Sequence, residues 1–261
     1  MSDPEGSTVL YEADSGIATI TLNRPHAKNA LSTVLQRDLV AAFDRATQDE
    51  EVRVVVLTGA GNAFCAGVDL KEFGQLEGNS ESRHAETAWD AMSRCVKPII
   101  GAVNGPAITG GFEIALACDV LIAGESARFA DTHGRVGVLP GAGLSQRLPR
   151  AIGIYRAKYL SLTGNFLSAQ TAAEWGLVSH VVPDESLLAT AREVAEDMLG
   201  LVPYMLPGLK AMIDDGFDLP FGEAIGMEAS RAREQMKAMK PQKAASAAFA
   251  GVRERGRAQK D

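Results

Sequence analysis

Residues 97–119 read "KPIIGAVNGPAITGGFEIALACD". The Lys-Pro step breaks whatever helix precedes it, because proline has no N–H to donate. "IIGAV" then reads as a buried strand, and "NGPAITGG" leaves it through small, turn-forming residues. "GGFEIALACD" takes on helical character, and "VLIAG" at 120–124 returns to strand. Strand, loop, helix, strand predicts an α/β fold with crossover connections.

The pattern extends in both directions. "TVLYEADSGIATITLN" (8–23) alternates apolar and polar residues on either side of Asp-Ser-Gly, as a β-hairpin does. Over 32–47, Leu35, Leu39 and Ala42 with Phe43 recur at helical spacing, and Ser32 is placed to cap that helix. "VRVVVLTGAG" (52–61) is a buried strand closed by glycines, and a further helix is expected over 84–95. After Leu144 the pattern turns helical, apart from a short strand in "LVSHVV" (177–182), with helices expected over 185–199, 203–215, 221–239 and 244–252. No Gly/Ser linker separates the regimes. The expected organisation is a core over 1–200 and a helical region over 201–261 that packs on the core or on a neighbouring subunit.

The chain has 261 residues, 46% hydrophobic and 23% charged, the composition of an ordinary globular protein. A net charge of −7 gives no overall reason to expect a nucleic-acid partner. The charge is uneven, however: residues 231–261 carry an excess of Lys and Arg, which reads either as solvated helix faces or as a place for an anionic small ligand. Cys65, Cys95 and Cys118 are odd in number and lack paired metal-ligand spacing, so reduced packing residues are expected. No secretory start and no membrane-length apolar run are present, which makes the cytoplasm the expected location and a membrane partner unexpected. With no His, Cys or carboxylate cluster, no metal is expected.

Two loops carry the chemistry, "NAFCAGVDLKE" (62–72) and "NGPAITGGFEIALACD" (104–119). Glycines let a ligand approach the main chain, and a helix start presents unpaired N–H groups to an oxygen. Gly110 offers such an N–H, and Glu113 lies in the first helical turn, where side chains lean back toward the helix start. An acid there is also favoured by the helix dipole alone. Neither loop has the spacing of a nucleotide-phosphate or dinucleotide fingerprint. A further candidate is His133 in "FADTHGRVGVLPGAG" (129–143), just before a glycine turn.

"NRPHAKNAL" (23–31), "AFCAGVDL" (63–70), "KPIIGAVNGPAITGGFEIALACD" (97–119) and "LPGAGLSQRLPRAIG" (139–153) occur in the order and spacing of the enoyl-CoA hydratase/isomerase, or crotonase, superfamily, which the chain resembles. The resemblance covers the first 200 residues closely and the helical remainder more loosely. It implies a spiral of ββα units with a helical C-terminal region that packs into a homotrimer or homohexamer. It also implies an acyl-CoA thioester as substrate, coenzyme A entering with it and no separate cofactor. By motif position the amides of Val68 and Gly110 are the oxyanion donors. Glu113 matches the glutamate that handles the water added at the β carbon.

The second glutamate of a hydratase has a different counterpart here. Where the superfamily usually has Gln-Pro-Glu, this chain has Asp131, Thr132 and His133. Isomerases of the superfamily rely on that carboxylate, so its replacement counts against ordinary isomerisation. For water addition an imidazole can still give and take protons near neutrality. Asp131, two residues earlier, points the same way as His133 if the segment is extended, and either orients the ring or caps the turn. The resemblance further implies CoA-phosphate contacts by Arg24, Lys28 and Lys71, an adenine and pantetheine path along Ala66 and Leu70, and places for Asp69 and Gly141 among the substrate- and CoA-binding residues. The resemblance also places Lys243 and Arg253 toward a neighbour's CoA phosphate, and Ala245, Ala248, Phe249 and Val252 are expected to form an apolar stripe. His26 runs beside the CoA moiety, whereas His84 and His180 read as surface or packing residues. The expected activity is reversible hydration of a 2-trans-enoyl-CoA. Other oxyanion-hole reactions on acyl-CoA, namely isomerisation, decarboxylation and retro-aldol cleavage, and an acyl-CoA-binding protein without turnover are the alternatives.

Overall fold

The computed structural model describes residues 6–69, 72, 87–238, 252, 255 and 256. Strands β1 (Val9–Asp14) and β2 (Ile17–Leu22) form the hairpin read from the sequence, with Val9 opposite Leu22 and Asp14 opposite Ile17. A type I′ two-residue turn needs positive φ at both positions, and Ser15 and Gly16 have 52° and 86°. Helix α1 (Thr33–Gln48) follows, with the Ser32 side chain accepting a hydrogen bond from the Leu35 N–H at 3.2 Å. Its buried residues, Leu35, Leu39, Ala42, Phe43 and Ala46, fall on one face at helical spacing.

The chain then enters β3 (Val54–Gly59), whose residues are all buried. Helix α2 (Ala88–Arg94) is shorter than the helix expected over 84–95. It starts at a reciprocal cap between Thr87 and Asp90, and residues 84–86 lie outside the described residues. Strand β4 (Ile99–Val103), a short β5 (Pro106–Ile108), helix α3 (Gly110–Leu116) and β6 (Val120–Gly124) follow, as the opening stretch predicts apart from β5. Beyond them come β7 (Arg128–Ala130), α4 (His133–Val136), α5 (Leu144–Ile152), α6 (Ile154–Thr163), β8 (Leu167–Ser168), α7 (Ala169–Glu174) and β9 (His180–Val182). Helices α8 (Leu187–Leu199), α9 (Met205–Phe217) and α10 (Phe221–Ala238) complete the described elements.

The main sheet has the order β1-β2-β3-β4-β6-β9, parallel from β2 onward. Its central strands are apolar on both faces because both faces are covered. Val55, Leu57, Ile99 and Val103 join the larger core with α1, α2 and α3, while Val54, Val56, Ile100 and Ala102 pack against Leu187, Ala191 and Ala195 of α8. A second sheet, β5-β7-β8, pairs β5 parallel to β7 and β7 antiparallel to β8. Two- and three-residue strands carry too little periodicity to be read from sequence. The chain divides into two compact units, Met1–Lys210 and Ala211–Asp261. Of the apolar stripe expected near the C-terminus, Ala245, Ala248 and Phe249 lie outside the described residues, as do Lys243 and Arg253; Val252 is exposed.

Candidate active site

The two glycine loops lie against each other. Cys65 pairs with Ala107 and Leu31 with Val68 as isolated parallel bridges, so the 62–69 segment is held between the 23–31 loop and β5. The Leu31 N–H donates to the Gly67 carbonyl and the Asp69 N–H to the Leu31 carbonyl, and among the described residues the Val68 N–H between them has no main-chain partner. Among the described residues the Gly110 N–H, first of its helix, has none either. A methyl group built on Gly110 would stand 3.6 Å from the Val68 nitrogen, so the two amides are neighbours. The contact requires glycine: a side chain at Gly111 would meet the Cys65 carbonyl oxygen at 2.1 Å.

Thr109, just before these amides, has φ 54° and ψ −113°, a conformation that costs a non-glycine residue about 1–3 kcal/mol. Its surroundings enforce it. The Thr109 N–H donates to the Ala130 carbonyl at 2.9 Å, its carbonyl accepts from the Glu113 N–H at 3.0 Å, and its hydroxyl pairs with that of Thr132.

Glu113 is buried, and its Oε1 accepts a hydrogen bond from the Ala142 N–H at 2.8 Å. That bond fixes the carboxylate and turns Oε2 toward His133, whose Nε2 is 3.7 Å away. The separation is too long for a direct hydrogen bond, yet both atoms can touch one water oxygen at about 2.8 Å. The 131–133 segment is not extended. Thr132 bends at φ −104° and ψ 12°, and His133 opens the one-turn helix α4. The reason is an Asx-type turn, in which Asp131 Oδ1 accepts the His133 N–H at 3.2 Å and competes with extended backbone. The same oxygen lies 2.8 Å from His133 Nδ1, and both residues are buried.

Glu113 and His133 share a cavity of about 730 Å³ with Ala66, Val68, Thr109 and Gly141. Trp89, Ser93, Val138 and Leu139 also line it. Of the expected CoA contacts, Arg24 is engaged internally, its guanidinium donating to Asp69 at 3.1 Å and to the Ala30 carbonyl at 2.7 Å. Lys28 donates to the Asn62 side chain at 2.8 Å, and Leu70 and Lys71 lie outside the described residues. His26 and His180 are exposed; His84 lies outside the described residues. Cys65, Cys95 and Cys118 are unpaired, and burial pushes the Cys65 thiol up to about 12. Among the described residues no group of three or more His, Cys, Asp or Glu could hold a metal ion. No described helix is long and apolar enough to cross a membrane.

Sequence reasoning places Gly141 among the substrate- and CoA-binding residues but misses the neighbouring Ala142 N–H that holds Glu113, because a hydrogen bond between residues 29 positions apart leaves no local pattern.

A family model described as enoyl-CoA hydratase/isomerase matches residues 12–255. A protein of Arabidopsis thaliana named probable enoyl-CoA hydratase 1, peroxisomal, is 43% identical over 231 residues, 88% of this chain and 87% of its own length. The short-chain-enoyl-CoA hydratase of Clostridium acetobutylicum is 35% identical over 249 residues, 94% of this chain and 95% of its own. The crystal structure of an enoyl-CoA hydratase from Bacillus anthracis is similar with a TM-score of 0.84 at 37% identity, over 94% of this chain and 96% of that one. With the paired loops, the α/β core and a match over nearly the whole length, the chain belongs to the enoyl-CoA hydratase/isomerase family.

Proposed function

We propose that this protein adds water reversibly to a 2-trans-enoyl-CoA, giving a 3-hydroxyacyl-CoA. The observation that carries the reading is the 3.7 Å approach of Glu113 Oε2 and His133 Nε2 inside a cavity that the Val68 loop also lines. The Glu113 carboxylate takes a proton from water as the oxygen attaches to the β carbon. Negative charge moves to the thioester oxygen, where the Val68 and Gly110 amides stabilise it without reorganising. The His133 imidazolium gives a proton to the α carbon and is restored by the proton on Glu113, relayed across the short gap. No cofactor takes part beyond the coenzyme A carried by the substrate.

The same reading assigns acyl-CoA binding to residues 1–200, with Arg24, Lys28, Ala66, Asp69, Leu70, Lys71 and Gly141 serving the CoA and substrate path. It assigns assembly into a homotrimer or homohexamer to 201–261. Support for assembly comes from Ile213, Phe217, Phe221 and Met236, all exposed and apolar. The unpaired cysteines suit a reducing cytoplasm. The test is turnover of a panel of 2-trans-enoyl-, dienoyl- and malonyl-CoA thioesters, with products identified by mass. Formation of 3-hydroxyacyl-CoA is the expected result. A double-bond shift without gain of water, decarboxylation, or tight binding without turnover would each replace this reading.

A further inference from the structure

Asp131 is a buried carboxylate to which the hydration scheme gives no task. It lies outside the cavity lining, behind the His133 ring that forms part of that lining. We propose that Asp131 is a positioning residue acting through His133: it holds the imidazole with its proton on Nδ1, leaving Nε2 toward the cavity to exchange protons, and it balances the charge of the imidazolium. The inference rests on the hydratase reading for its kinetic consequences, though not for the ring geometry.

An ionised carboxylate only accepts hydrogen bonds, so the 2.8 Å contact makes Nδ1 the donor. A neutral histidine side chain in water carries its proton mostly on Nε2, where it could not accept another. Asp131 reverses that preference in a place with little water to compete. The same Oδ1 also accepts the His133 main-chain N–H at 3.2 Å, which ties the carboxylate's direction to the backbone of the residue it orients. Turn capping alone would need only that second bond. The first fixes the ring, and it does so with Nε2 directed to Glu113 Oε2. Replacing a glutamate by histidine at this position adds a rotatable ring with two possible protonated nitrogens. A carboxylate two residues earlier removes both freedoms.

The experiment uses the full chain and four variants, Asp131→Ala, Asp131→Asn, His133→Ala and the double Asp131→Ala/His133→Ala. The readouts are kcat and KM on a 2-trans-enoyl-CoA, and the ring-nitrogen NMR shifts of His133 in ¹⁵N-histidine-labelled protein. Asp131→Ala is expected to lower kcat about 100-fold with KM within about 3-fold, and to move the His133 ring away from the Nδ1–H pattern. Asparagine keeps an oxygen for both donors but no charge, so Asp131→Asn should retain the pattern and lose only about 10-fold. In the His133→Ala background, removing Asp131 should cost nothing further. Equal losses with and without His133, or an unchanged ring signature in Asp131→Ala, would overturn the proposal. If the wild type hydrates no enoyl-CoA, the functional reading falls while the spectrum still decides the positioning role. A neutral wild-type ring with its proton on Nε2 alone refutes it, and Nδ1–H lost in Asp131→Ala upholds it.

Discussion

Asn29 is fully buried, with φ at 55°, and its side-chain amide donates to the Ala60 and Ala63 carbonyls while its oxygen accepts the Arg24 N–H. One residue thus joins the 23–31 loop to the turn that precedes the Val68 amide. Asn29→Ala removes three hydrogen bonds, one buried and two part-buried, and should cost about 3 kcal/mol in urea unfolding. A loss below about 1 kcal/mol would show that the loops hold without it. Cys65, on the same loop, has its thiol raised from an ordinary 9.0 to about 12 by burial. Because the folded state keeps the proton longer, the stability this thiol contributes is complete below pH 9 and is lost as pH rises from there toward 12. Unfolding free energy should therefore fall by up to about 1.4 kcal/mol per pH unit in that window, and Cys65→Ala should remove that component of the slope. At this scale Glu113 and His133 were legible as chemistry, whereas their geometry was not. An Asx turn two residues long leaves no periodic trace, so 131–133 reads as extended until the hydrogen bonds are seen.

The elements that matter most are the 62–72 loop and helix α3, pressed together so closely that only glycine fits between them. A side chain at Gly111 meets main chain at 2.1 Å, whereas one at Gly110 meets its nearest neighbours at 3.5 Å, an ordinary contact. Gly111→Ala should therefore displace the loop, lowering stability by about 3 kcal/mol and hydration about 100-fold. Gly110→Ala should change stability by less than about 1 kcal/mol, since the amide and its surroundings remain. Thermal melts of the pair check this, and equal effects would contradict the close approach. The long elements were legible for physical reasons: β3 is buried throughout and apolar from Val54 to Leu57 because it is covered on both faces, and α1 shows its buried stripe at helical spacing. Strands β5, β7 and β8 were not, being too short to show a period and held in place by each other.

At the scale of the molecule, a largely parallel sheet with cores on both faces supports loops that present main-chain amides and two buried side chains, Glu113 and His133, to which the proposed reaction assigns the proton transfers. The order of strands and helices announced that architecture, and the motif order announced the family. Sequence could not announce that Glu113 is held by the Ala142 N–H and faces the His133 ring, because these contacts join segments about 20 to 30 residues apart. The most direct test of the account is single-turnover hydration of a short 2-trans-enoyl-CoA by wild type and by Glu113→Gln at saturating enzyme. Glutamine keeps the shape and cannot take the proton, so the account predicts unchanged thioester binding and a rate lower by about 10³-fold. Hydration by Glu113→Gln at the wild-type rate would contradict it.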